Sequence, residues 1–249
     1  VRVVSLVPSL TEAVAVLGRA DALVGVTAWC ERGAPASATV VGGTKNPDVA
    51  RITALRPDLV LANSEENRAE DLAALRAAGV TVHETFPRTV TDVGPMLRGL
   101  GQALDATSAA EAAAADVEGA TAGALAAAPR TPVAVCTLIW RKPWMAVGPD
   151  TFVDDLLRHC GFANVLAGWE ERYPRLDPSL VLRPEAVLLP SEPYAFTQAD
   201  LPAVEDLLGE VAHRFVDGRL LTWHGPSTAQ ALRVFTALAV ELRAALGGR

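Results

Sequence analysis

The sequence predicts an α/β protein of two lobes, and three observations lead there. Short, continuously apolar runs of strand length alternate with stretches of helical period. One phrase is written twice, as LRPDLVLANSEE from Leu55 and as LRPEAVLLPSEP from Leu182. An alanine-rich segment, DATSAAEAAAADVEGATAGALAAAPR, stands between the two copies. At 50% hydrophobic and 20% charged, the 249 residues supply a packed core and exclude a disordered chain. A net charge of −7 without a Lys/Arg stripe excludes nucleic acid as a partner. No apolar run approaches the roughly 18 residues of a membrane span, so the chain is expected not to cross a bilayer.

In the first half, apolar runs predict strands near Val3–Val7, Leu23–Thr27, Leu59–Ala62 and Thr81–Glu84. Helices are expected near Leu10–Leu17, Pro47–Leu55, Arg68–Ala78 and Val90–Leu104. The spacings Ser9-x-x-Glu12 and Asn67-x-x-Glu70 have the form of capping boxes, and Gly18 stands as a helix stop. High helix propensity makes residues 106–130 a single connecting helix, about 20 residues and roughly 30 Å long. Gly119 and Gly123 leave a flexible linker as the alternative.

In the second half, strands are expected near Pro132–Leu138, Ala186–Leu189 and Arg214–Val216, with helices near Thr151–His159, Leu201–Leu208 and Ser227–Leu246. Thr151-x-x-Asp154 caps the first of these helices, as Ser9-x-x-Glu12 caps its counterpart, so each half begins strand, turn, helix. The repeated phrase reads as a helix stopped before proline, then an acid, then a strand covered on both faces. The expected domains are therefore residues 1–105, the helix 106–130, and residues 131–249.

Two such lobes leave a cleft at their strand ends, where small ligands bind. All five tryptophans and both tyrosines fall in predicted loops or strand ends: Trp29, Trp140, Trp144, Trp169, Trp223, Tyr173 and Tyr194. They are expected to wall a flat or greasy ligand instead of filling the core. Among them stand the cations Lys45, Arg88, Arg141 and Lys142 and the acids Glu65, Glu66 and Glu192. Arginine holds carboxylates in a two-pronged grip and stacks on rings, so a ring-like ligand with anionic groups is expected. Pro8, Ser9, Asn46 and Phe86, in the same loops, complete the candidate face.

His224, in the loop TWHGP, is a candidate axial ligand to a bound metal centre, with a surface histidine as the plainer reading. No pair of histidines has zinc-site spacing, and no P-loop, GxSxG, HExxH or strand-following GxGxxG is present. No intrinsic cofactor or metal and no catalytic residue is expected. Cys136 and Cys160 read as buried small hydrophobes. The odd cysteine count, with Cys30, favours a reducing compartment.

The stretches VSLVPSLTEAVAVLG, LVGVT, ITALRPDLVLAN and VGPDTFVDDLLRHCGFANV, in this order around the alanine-rich helix, resemble the helical-backbone metal-receptor superfamily. These are substrate-binding proteins of importers for vitamin B12 and ferric siderophores. The sequence looks most like the cobalamin-binding branch and relatives carrying GGTKN with EENRAED. The resemblance implies two Rossmann-like lobes bridged by one long helix, with a corrinoid, haem or ferric siderophore held unreacted in the cleft. It also implies an ABC importer as partner, docked through an acid on each lobe: Glu70 on the first, and Glu205 or Glu210 on the second. A monomer is expected.

The alternative is an intracellular cofactor-handling protein or enzyme on the same scaffold, with Glu65 and Glu66 as acid and base. VRVVSLVPSL contains no signal-peptide pattern. The expected location is periplasmic or cell-surface if an export signal precedes Val1, and cytoplasmic if Val1 is near the native start.

Overall fold

The computed structural model describes residues 1–177 and 179–247. Residues 178, 248 and 249, part of the expected 131–249 lobe, lie outside the described residues. The chain divides into two compact units, one of residues 1–87, 91–117 and 224–226, the other of residues 88–90, 118–223 and 227 onward.

The first unit runs β1 (Val3–Ser5), α1 (Pro8–Val16), β2 (Leu23–Val26), β3 (Thr39–Val40), α2 (Val49–Ala54), β4 (Leu59–Asn63), α3 (Ala69–Ala77), β5 (Val82–Thr85) and α4 (Val93–Ala103). Its strands form a parallel sheet in the order β3-β2-β1-β4-β5. Every residue of β1 and β4 is buried, as strands covered by helices on both faces require. Strand order reverses between β1 and β4, so their carboxyl ends open where ligands bind in doubly wound sheets.

Two expected caps do not form. Helix α1 begins at Pro8, with Val7 at the cap position, which places Ser9 inside the first turn. Proline at the first helical position brings a preset φ and no N–H to satisfy, so the chain turns into the helix directly from the strand. Helix α3 is preceded by Arg68 without a side-chain cap, because the Asn67 amide is engaged elsewhere. By contrast, Asp48 caps α2 by accepting the Arg51 N–H at 2.9 Å.

Helix α5 (Thr107–Ala127) is continuous through Gly119 and Gly123, and the division between the units falls within it. Ala110, Ala114, Val117, Ala120 and Ala124 form its buried stripe. At Gly101 in α4, a Cβ would lie 2.2 Å from that of Ala110, so only glycine admits this approach.

The second unit runs β6 (Val133–Trp140), β7 (Met145–Ala146), α6 (Phe152–His159), β8 (Phe162–Asn164), β9 (Ala186–Pro190), α7 (Leu201–Leu208), β10 (Ala212–Val216), α8 (Gly218–Thr222) and α9 (Thr228–Gly247). β8, β9 and β10 run parallel to their neighbours around β6, while β7 turns back as a hairpin. The hairpin has no counterpart after β1. Thr151 caps α6 as expected, accepting the Asp154 N–H at 3.1 Å.

The repeated phrase occupies equivalent places in the two sheets. β4 lies between β1 and β5, and β9 lies between β6 and β10. In each copy the acid after proline grips the lobe's first strand. Asp58 accepts the Arg2 N–H at 2.6 Å and donates its own N–H to Arg2 O at 2.9 Å. Glu185 does the same to Ala134, at 2.8 and 2.7 Å. The helix expected before the second copy is not formed: residues 180–184 are neither helix nor strand, whereas Leu55 ends α2.

Candidate functional site

In the first unit the carboxyl ends of the strands are organised by two buried side-chain amides: Asn63, which the sequence reading did not single out, and Asn67, which it offered only as a helix cap. Asn63, fully buried at the end of β4, donates from Nδ2 to Thr85 O (3.0 Å) and to His224 Nε2 (3.2 Å). Its Oδ1 accepts the N–H groups of Glu65 (2.9 Å) and Glu66 (3.2 Å). Its main-chain N–H goes to Asn67 Oδ1 at 2.9 Å, while Asn67 Nδ2 reaches Thr44 O at 2.9 Å. The loop after β4, the GGTKN loop and the edge strand β5 are thus tied together through amides.

His224 is buried in this network, not on the surface. Because Asn63 donates to Nε2, that nitrogen must be an acceptor, so the ring is neutral. Burial pulls its pKa below the usual histidine value, outweighing its own backbone hydrogen bond and the pull of Glu65. As placed, Nε2 serves Asn63 instead of pointing an electron pair at a ligand.

Lys45 donates from Nζ to Glu65 O at 2.7 Å, and Asn46 Oδ1 accepts from Arg68 at 3.4 Å. Both candidates therefore fasten the loop carrying Glu65 and Glu66. Gly42 opens the GGTKN loop at φ +104°, where a Cβ would meet Asn46 O at 2.6 Å. Pro8 and Ser9 lie in the first turn of α1, after β1. Two rings stand out from this framework: Trp29, 65% exposed after β2, and Phe86, 42% exposed after β5. Cys30 holds the Trp29 turn from beneath, with the Thr11 and Thr27 hydroxyls each 3.1 Å from its sulfur.

In the second unit the tip of the β6–β7 hairpin carries Trp140, Arg141 and Trp144. Trp140 is 41% exposed and meets Tyr194 edge-on, with centroids 5.8 Å apart. Trp144 is parallel to Phe196 within 2°, and Tyr194 meets Phe196 at 4.7 Å. Trp144, Trp169 and Tyr194 also pack on the buried core formed by Cys136, Leu138, Val187, Leu189 and their neighbours. These three aromatics therefore lid the core as well as edging the face, which corrects the expectation that the rings stand apart from it. The Arg141 guanidinium lies 5.7 Å over the Trp144 ring and pairs with buried Asp200.

Arg88 pairs with Asp150, holding that carboxyl below its usual range. Arg172 donates to Asp150 O at 2.8 Å and lies 5.6 Å over Tyr173. The arginines expected to receive anionic ligand groups thus carry protein carboxylates here. At the end of β9, burial pushes the Glu192 pKa up, against hydrogen bonds from Trp223 and the Thr222 hydroxyl (3.4 Å). Gly218 is required beside it, since a Cβ there would come within 2.5 Å of Glu192 N. Glu70 and Glu205 are exposed on α3 and α7.

All three cysteines are free and buried, and burial pushes the Cys136 and Cys160 thiols up to about 12. Among the described residues, no three His, Cys, Asp or Glu side chains gather as a metal-binding group, and no helix is long and apolar enough to cross a membrane.

Doubly wound parallel sheets whose strand ends present exposed rings on braced loops define the class of α/β small-molecule receptors. The chain belongs to the periplasmic binding protein family, whose model matches residues 3–207. A vitamin B12-binding protein of Pectobacterium atrosepticum is 28% identical over 210 residues, covering 80% of this chain and 75% of the relative. Among solved structures, the apo periplasmic heme-binding protein RhuT from Roseiflexus sp. RS-1 superposes with a TM-score of 0.84 at 24% identity, covering 97% of this chain and 98% of that one. The periplasmic heme-binding protein BhuT in complex with two hemes gives 0.82 at 27%, covering 98% of each.

Proposed function

We propose that this chain is the substrate-binding component of an ABC importer and carries a corrinoid without altering it chemically. The observation that supports this most is the placement of Trp29, Phe86 and Trp140, exposed where β2, β5 and β6 end. Large rings left in water at strand ends offer stacking surface to a flat, partly apolar body. The vitamin B12-binding relatives favour a corrinoid, and the haem-bound neighbour supports haem as the second reading. No catalytic step is assigned, and Glu65 and Glu66 belong to loop architecture in this reading.

The test is calorimetric titration of the purified chain with cyanocobalamin, hemin and a ferric siderophore, alongside tryptophan quenching. Cyanocobalamin is expected to bind at micromolar concentration or tighter, with Trp140→Ala and Trp29→Ala each weakening it about tenfold. Heat from none of the three, at concentrations well above micromolar, would refute the reading. Glu70 and Glu205 are proposed to dock on the permease, so Glu70→Arg with Glu205→Arg should abolish importer stimulation while leaving calorimetric affinity intact.

A further inference from the structure

Asp200, a residue not so far offered to the ligand, lies beneath the second unit's aromatic face and bonds both Arg141 and Tyr194. It is 4% exposed, and a carboxylate so buried persists only when its oxygens are matched by donors. Oδ2 is matched locally: it accepts the Thr197 N–H at 2.9 Å and the Thr197 hydroxyl at 3.1 Å, completing a capping box on the turn before α7. That local role occupies one oxygen. Oδ1 accepts from two side chains on different segments, the Arg141 guanidinium on the hairpin and the Tyr194 hydroxyl, the latter at 3.0 Å.

Each partner orients a ring. Tyr194 meets Trp140 edge-on, and Arg141 lies over Trp144. A single oxygen therefore bonds both residues that touch the hairpin tryptophans. We infer that Asp200 is a positioning residue for ligand recognition, fixing Arg141 and Tyr194 so that Trp140 and Trp144 are presented as a preformed stacking surface. The inference rests on the proposed function, since it assumes that these rings meet the ligand.

It also specifies what the surface offers. The Tyr194 hydroxyl and one arm of Arg141 are spent on Asp200, which leaves ring faces and edges as the main contacts; a preset surface binds without the entropy cost of ordering its side chains. Burial alone would raise the Asp200 pKa, but the Thr197 backbone, Arg141, Tyr194 and the Thr197 hydroxyl outweigh it and hold the value below the usual carboxylate range.

The experiment compares wild type, Asp200→Asn, Arg141→Gln, the double variant and Tyr194→Phe. Cyanocobalamin and hemin are the calorimetric probes, and near-ultraviolet circular dichroism reports ring orientation. Asp200→Asn removes the charge and one of the two acceptor oxygens, so either the Arg141–Tyr194 pair or the Thr197 cap that anchors the carboxylate meets an N–H₂ instead. It is expected to weaken the probe that wild type binds by about tenfold or more and to flatten the aromatic dichroism. Arg141→Gln together with Asp200→Asn should be no weaker than Asp200→Asn alone, because the two act as one unit. Tyr194→Phe keeps the ring, loses its tether and should show the same effects in smaller measure, which also covers a poorly folded Asp200→Asn.

Unchanged affinity and dichroism in a folded Asp200→Asn, or losses that multiply in the double variant, would overturn the role of Asp200. Wild type that binds neither probe overturns the proposed function instead, and the positioning role falls with it.

Discussion

The carboxyl ends of β4 and β9 close the two copies of one phrase, yet they are organised by opposite chemistry. β4 ends in Asn63, whose neutral amide serves Thr85, His224, Glu65 and Glu66. β9 ends in Pro190, which has no side-chain polar group, and the polar centre moves to Asp200, an ionised carboxylate serving Arg141 and Tyr194. At the opposite end of the strands the copies agree, with Asp58 and Glu185 making the same paired bonds to Arg2 and Ala134. The two copies thus share the bonds that register the strands and differ at their carboxyl ends, one braced by amides and the other by an ion pair among rings.

The sharpest way to break this comparison is to remove the amide centre. Asn63→Ala removes the side-chain partners of Glu65 N–H and of the buried His224 Nε2, while Glu66 N–H keeps Asn63 O and Thr85 O keeps Ser64 N–H, and it should cost roughly 2–3 kcal/mol in urea unfolding. A loss below about 1 kcal/mol would mean that the network is ornament.

Acid should act next. His224 has its pKa lowered in the fold, so the unfolded chain takes up the proton first. Stability is then full above about 6.5 and declines as pH falls from there toward the lowered value. His83, also lowered by burial, contributes with the same sign. His224→Gln, which keeps an acceptor for Asn63, should flatten part of this decline in pH-dependent unfolding curves.

The smallest effect separates the two helix starts. Thr151→Ala removes a formed cap and should cost about 1 kcal/mol, while Ser9→Ala removes none and should cost less than about 0.5 kcal/mol in the same assay.

Much of the fold was legible because fully buried parallel strands are continuous apolar runs, as in LVLAN and AVLLP. β3 and β7, two residues each, and the five-residue α8 are too short to show a period. The Ser9 and Asn67 spacings misled because a cap depends on where the chain enters the helix and on competing partners, neither of which lies in the spacing. The rings at strand ends were legible in the loops. What braces them was not, because Asn63 meets His224 across 161 positions and Asp200 meets Arg141 across 59. A polar residue far from its partner in sequence leaves no local trace.

The β6–β7 hairpin carries one more consequence. Its stem is held on both sides, by β6 and by residues 174–176, through Ala146 N–H to Pro174 O (3.1 Å) and Leu176 N–H to Trp144 O (3.0 Å). The tip between Trp140 and Trp144 projects from that stem without interrupting the parallel strands. New tip sequences that keep Trp144 on the core and an arginine for Asp200 are therefore expected to leave the sheet intact.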